Sequence, residues 1–354
     1  MAEKSADKRK ERVLTVGPDT KGIGGISSVL SCYCRTIPGI TYLSTNSRFG
    51  TVPGAFEVLR TMLSLPFYRL AGYTVVHAHV AVGKSFIRKS AVLKWAQLLG
   101  YKTVYHNHGG AFRDYAHKVG EEKIMRFLHS CSAVAVLSES WRRYFVETLK
   151  CPHVYVVDNI VEEPARAVER RVLADDEVVA FAFLGKICEA KGMYDLLDAL
   201  ALRREYFEGR IKVLVAGNGE VNEFVKRVKE IGLESIVEYV GQVRGDDKDA
   251  LLRRADVMLL PSYVEAMPIV LLEAGVYRMP SITTPVGGIP ELIKNGENGV
   301  MVEPGNIEGL ADAIALYVDE REMIYRQGAA AASAIVKNKP EAVAQTLEKL
   351  YESL

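Results

Sequence analysis

Short apolar runs alternate with helix-length amphipathic segments along almost the whole chain, and this alternation limits the folds available. The first series of runs is RVLTV (12–16), ITYLS (40–44), YTVVHA (73–78), KTVYH (102–106), SAVAVL (132–137) and HVYVV (153–157). The second is EVVAFAFLG (177–185), IKVLVAG (211–217), IVEYVG (236–241), DVMLLP (256–261) and SITT (281–284). Strands that are apolar throughout need cover on both faces, and strands joined by helices run parallel. The pattern therefore predicts an α/β protein with two doubly wound, Rossmann-like domains and a cleft between them.

The break between the series is VEEPARAVERRVLAD (161–175), charged and proline-bearing, as an interdomain linker would be. The length, 354 residues, suits two domains. No apolar run approaches the ~20 residues that cross a bilayer. The opening MAEKSADKRKER lacks the apolar core of a signal peptide, and residues 1–11 are expected to be disordered. Five cysteines without a CxxC pair suit a reducing cytoplasm. Net charge is +1 overall, yet residues 1–163 hold 22 Lys and Arg against 13 Asp and Glu, a net of +9. A basic half favours anionic surfaces; two solvated domains of complementary charge are the plainer reading.

The stretch PSYVEAMPIVLLEAG (261–275) sets Glu265 and Glu273 in otherwise largely apolar sequence. Residues 262–267 follow a strand, where open α/β sheets bind ligands. Pro268 suits the first turn of a helix, whose N–H groups at Met267, Ile269 and Val270 would then favour phosphate. On pattern alone two readings stand: both acids border one ligand, or Glu265 is a helix-start acid and Glu273 is exposed. Gly24 and Gly25 follow the first strand and permit close backbone approach, although turns use such pairs everywhere. Lys186 and Lys191 follow the first strand of the second series and could face phosphates or only water.

The spacing P-S-x(2)-E-x-x-P-x(4)-E, followed by PVGGIPEL and Asn298-Gly299, resembles the donor half of family 4 glycosyltransferases, with its E-x7-E pair. FLGKICEAKGMYDLLDAL (183–200), IKVLVAGNGE, VEYVGQV and ADVMLLPS agree in order, so the resemblance covers nearly all of 180–306. It is looser in KGIGGISSVL, VVHAH, YHNHGG and VYVVDNIV of the first half. The family implies a GT-B fold and a retaining enzyme that transfers a sugar from a UDP- or GDP-sugar to an acceptor hydroxyl, with no bound metal or other cofactor. It implies an acceptor-side domain at 1–163, a donor-binding domain at 164–336, and a final helix at 337–354 crossing back to the first domain.

By the same resemblance, Glu265 and His108 position the transferred sugar, and Lys186 and Lys191 stabilise the leaving phosphate. Glu273 holds the ribose hydroxyls; Gly217, Asn218, Gly219 and Val243 border the base. Lys186 stands where the family usually has Arg, Ala266 replaces a Gly, Gly275-Val276 replaces an A-M-A-like continuation, and Ile160 replaces the Gly of "N-G". These departures keep open a silent GT-B subunit that supports a partner transferase; a nucleotide-sugar epimerase or hydrolase is another alternative. The pairs His77/His79 and His106/His108, each sharing a strand face, also raise a zinc hydrolase. His117, His129 and His153 supply no further ligands at strand ends, which leaves that reading third.

The segments AFEVLRTMLSLPFYRLAG (55–72) and KSFIRKSAVLKWAQLL (84–99) mix apolar and basic residues. They are either packed helices with a basic outer face or a seat for the basic half on anionic lipid. The expected partners are a nucleotide-sugar, a glycan or lipid-linked acceptor and an anionic membrane surface, with no nucleic acid. The expected location is the cytoplasm, peripheral on the inner face of the membrane.

Overall fold

A computed structural model describes residues 12–22, 24–46, 51–170 and 172–354, without the side chains of 51–53. The expectation for residues 1–11 lies outside the described residues. The chain forms two compact units. One takes the chain up to Leu137, then Arg142–Val157 and Val343–Leu354; the other takes Ser138–Trp141 and Asp158–Ala342.

The first unit contains β1 (Val13–Gly17), β2 (Thr41–Ser44), β3 (Val75–Val80), β4 (Lys102–Asn107), β5 (Ala133–Val136) and β6 (Val154–Val156). They form one parallel sheet in the order β2-β1-β3-β4-β5-β6. All six residues of β3 are buried, as a central strand with covered faces requires. The second unit contains β7 (Val179–Leu184), β8 (Ile211–Ala216), β9 (Val237–Gly241), β10 (Val257–Leu260), β11 (Ser281–Thr283) and β12 (Gly299–Met301). Their order is β12-β11-β10-β7-β8-β9, again all parallel. Phe181, Phe183, Leu197, Phe207, Phe224 and Tyr317 fill its core. All eleven runs read as strands form strands, with their ends shifted by at most two residues.

The helix Thr51–Leu70 carries Pro66 in its interior. A proline has no N–H for the carbonyl four residues back. Here that carbonyl, Met62 O, accepts from Trp95 Nε1 at 2.9 Å, and Leu65 O accepts from the Tyr101 hydroxyl at 2.6 Å. The lost helical bond is thus replaced from the neighbouring helix, Lys84–Leu98. Phe56, Leu59, Leu63, Phe67 and Leu70 face outward, between 54% and 87% exposed. Lys84 and Lys94 are exposed as well, but Lys89 is buried. Its ammonium donates to Ser85 Oγ at 2.8 Å, so it does not belong to the basic outer face read from the sequence.

In the second unit, Gly192 has φ +67 and precedes the helix Met193–Leu202. A Cβ there would land on the carbonyl of Pro261, at the end of β10. Position 192 is therefore closed to a side chain by both conformation and space. Gly192→Ala is expected to lower the stability of the second unit by on the order of 2 kcal/mol, read as a reduced urea midpoint with fluorescence or circular dichroism.

Candidate functional site

In the second unit the chain runs β7-β8-β9 in one direction from β7, then crosses to β10 on its other side. In a doubly wound sheet, the loops after the two strands flanking such a reversal diverge and leave a crevice. The loop after β7 carries Lys186 and Lys191, and the loop after β10 carries Ser262 to Pro268. The crevice brings Lys191 and Glu265 together: Lys191 Nζ donates to Glu265 Oε1 at 2.5 Å. Ser262 Oγ donates to the same oxygen at 3.0 Å. Glu265 is buried, so its charge needs these partners. Oε2 is left to accept from a ligand.

The other sequence-selected residues of this unit lie on the same edge of the sheet. Gly217 and Gly219 follow β8 with φ +156 and +121. A Cβ on the first would strike Gly185 O, and on the second Ile187 O. Ile187 N donates to Asn218 O at 2.7 Å, zipping the loop after β8 to the loop holding Lys186. Lys186 itself is exposed, and Val243 is half-buried between β9 and the helix Gly245–Arg254. The helix Ile269–Val276 starts one residue later than expected: Pro268, with ψ 123, is its N-cap and not part of its first turn. Met267 is buried just before it; Ile269 and Val270 are half-buried.

Glu273, one turn into that helix, is not an exposed acid. Its Oε1 accepts from Lys248 Nζ at 2.6 Å. Lys248, in the helix Gly245–Arg254, was missed by the sequence reading, because an exposed helix with three acids carries no signal that singles out one lysine. Glu265 is likewise not a helix-start acid; its side chain turns to Lys191.

The first unit holds Gly24, Gly25 and His108. Gly24 has φ +121 and open space where a Cβ would be, and Gly25 begins the helix Gly25–Thr36. His108 follows β4, with its backbone N–H donating to Val80 O at 2.8 Å and its Nε2 2.8 Å from His79 Nδ1. The parallel register pairs His79 with His106, so His77, His79, His106 and His108 stack on one face of the sheet. His77, His79 and His106 are fully buried. Burial pushes His77 down to about 3, and burial with His77 and Lys89 nearby does the same to His108. Burial and neighbouring imidazoles hold His79 and His106 well below the usual histidine range.

Residues 165–334 match the model of the family described as "Glycosyl transferases group 1". That stretch is just under half of the chain. Among curated proteins, an uncharacterised glycosyltransferase of Methanocaldococcus jannaschii is 26% identical over 216 residues, covering 57% of this chain and 55% of that protein. The phosphatidyl-myo-inositol mannosyltransferase of Mycobacterium leprae is 29% identical over 226 residues, covering 63% and 58%. The matches thus span about half the length of these relatives. Among solved structures, Anabaena HepE in complex with UDP and glucose superposes with a TM-score of 0.75 at 17% identity, covering 97% of this chain and 100% of that one. At that identity the likeness shows the fold, which is GT-B: two parallel-sheet, Rossmann-like halves. The matched stretch contains Lys186, Lys191, Gly217, Asn218, Gly219, Val243, Lys248, Glu265 and Glu273.

The histidine stack has a consequence for stability. Imidazoles held neutral when folded take up protons in the unfolded chain below about pH 6.5, so unfolding gains protons as the pH falls. Stability contributed above pH 6.5 is lost progressively towards the folded value of about 3. The urea midpoint of the first unit is expected to fall already between pH 6.5 and 5, above the range of ordinary carboxylates. His77→Gln should make that fall shallower.

Proposed function

We propose that the protein is a retaining glycosyltransferase that moves a sugar from a nucleotide-diphosphate donor, a UDP- or GDP-sugar, to an acceptor hydroxyl. The observation that carries this reading is the Lys191–Glu265 pair at the strand-order reversal within the stretch that matches the group 1 family. A buried carboxylate with an oxygen to spare accepts hydroxyls of a sugar strongly. The ammonium that holds it has further N–H groups for an anion. The donor's own chemistry, vicinal hydroxyls joined to a diphosphate, asks for this combination. Glu273, held by Lys248, accepts the two ribose hydroxyls, and the backbone of Gly217, Asn218 and Gly219 borders the base with Val243.

In the proposed reaction the bond from the anomeric carbon to the diphosphate oxygen breaks as the acceptor oxygen bonds to that carbon on the same face. The acceptor's hydroxyl proton passes to the departing diphosphate. Lys191, Lys186 and the helix start at Met267, Ile269 and Val270 stabilise the charge that develops on the leaving oxygen. The transferred sugar, with oxocarbenium character, is positioned by Glu265. Gly24 and Gly25 permit close approach of backbone to ligand. This chemistry routes no step through a metal.

A lipid-linked or glycan acceptor, met at the inner face of a membrane from the cytoplasm, completes the reading. Its support is the apolar stripe Phe56, Leu59, Leu63, Phe67 and Leu70, with Arg69, Lys84 and Lys94 exposed nearby in sequence. No helix among the described residues is long and apolar enough to cross a membrane. An interfacial helix needs only such a face and basic flanks.

Two experiments test the proposal. Nucleotide release is measured from a panel of UDP-, GDP- and ADP-sugars with membrane lipid extract as acceptor source. One donor should be turned over, with at least a hundredfold loss in Glu265→Gln; no release and no nucleotide binding would leave a silent subunit. Separately, vesicles of anionic lipid at low salt should sediment the protein. Leu59→Ser/Leu63→Ser/Phe67→Ser should weaken that binding at least tenfold, and equal binding by the variant would remove the stripe from the account.

A further inference from the structure

We propose that His77, His79 and His106 form a binding site for one divalent late transition-metal ion of the zinc class, inside the first unit and separate from the donor chemistry. One ligand atom from each of the three residues lies within 4.8 Å of the others. His77 Nε2 and His106 Nδ1 are 3.1 Å apart. Two imidazole nitrogens sharing a tetrahedral zinc, each about 2.0–2.1 Å from it, stand about 3.3 Å apart, so this pair already has the required spacing.

The second ring nitrogens of His77 and His79 are held as those of metal ligands are. His77 Nδ1 meets the Tyr351 hydroxyl at 2.6 Å, which leaves Nε2 for the ion. His79 Nδ1 meets His108 Nε2 at 2.8 Å, again leaving Nε2. That Nε2 is buried and has no hydrogen-bond partner among the described residues. A buried polar atom without a partner is costly, and an ion would satisfy it. Ligating histidines characteristically have the second nitrogen fixed by a hydrogen bond of this kind.

The donor set selects the ion. Three neutral imidazoles without a carboxylate or thiolate suit zinc, copper or nickel rather than magnesium or calcium. Lys89 is the charged group that would oppose a cation, being felt by His79. Its ammonium is turned to Ser85 Oγ, at 2.8 Å. Without the ion, the chain from Tyr351 through His77 to His106 partners both nitrogens of His77 but leaves Nε2 of His79 and Nε2 of His106 without a partner among the described residues.

The test uses the full chain without a histidine tag, stripped by chelator and desalted. Titration with Zn²⁺ by calorimetry should show one ion per chain. Co²⁺ substitution should give visible absorption of a tetrahedral, nitrogen-ligated ion. His79→Gln and His106→Gln should each weaken binding at least tenfold, while the exposed pair His117→Gln/His153→Gln leaves it unchanged. Should the first two variants fail to fold, X-ray absorption of the zinc-loaded wild type reads the ligands directly. Three imidazole nitrogens support the site; an all-oxygen shell, more weakly bound ions at several sites, or no stoichiometric binding overturns it and leaves a hydrogen-bonded histidine stack. Nucleotide release from the donor panel reads the transferase proposal independently, so either can fail alone.

Discussion

In the second unit, backbone meets backbone at the ends of the strands, and the side-chain arrangement rests on that. Gly192 lies against Pro261 O, Gly217 against Gly185 O, and Gly287 against Glu265 O. Each contact excludes even a methyl group. The loops after β7, β8, β10 and β11 are consequently held at one separation, with no side chain free to wedge them apart. Lys191 can reach Glu265 because the glycine after it is pressed on the loop that carries Glu265. A longer side chain at any of these glycines would act on the carboxylate without touching it.

The same edge shows how a parallel sheet turns local sequence into a polar site. Every strand points its C-terminal end the same way, so acids and lysines far apart in the chain converge. Glu265 and Lys191 are 74 positions apart, and Glu273 and Lys248 are 25. Both pairs put a carboxylate largely out of water with an ammonium as its nearest partner. Such pairs contribute little net stability, because desolvation offsets attraction. Their value lies in holding an acceptor oxygen at a fixed place.

The strands were legible because both faces of a parallel sheet are buried and their apolar runs are almost unbroken; β3 and β10 are buried at every position. Glu265 stood out because its neighbours are apolar. Lys248 did not, because it sits among Asp246, Asp247 and Asp249 on an exposed helix, where lysines are ordinary. Nor could the burial of Lys89 be read: it lies in a basic run, and only the fold decides which of those charges turns inward. Pro268 slipped by one position because a proline is as compatible with an N-cap as with the first turn. The stacking of four histidines depends on the register of β3 against β4, which no spacing along the chain specifies.

The contact between Tyr351 and His77 spans 274 positions. During synthesis at roughly 5–20 residues per second, the partner of His77 emerges roughly 14–55 s after it. Through that interval β1 to β6 can pair, but the imidazole stack lacks its phenol and the first unit lacks the helix whose Val343, Leu347 and Leu350 are buried. The first unit is therefore first in sequence yet finished last. Its histidine stack must wait for a helix made after the whole of the second unit.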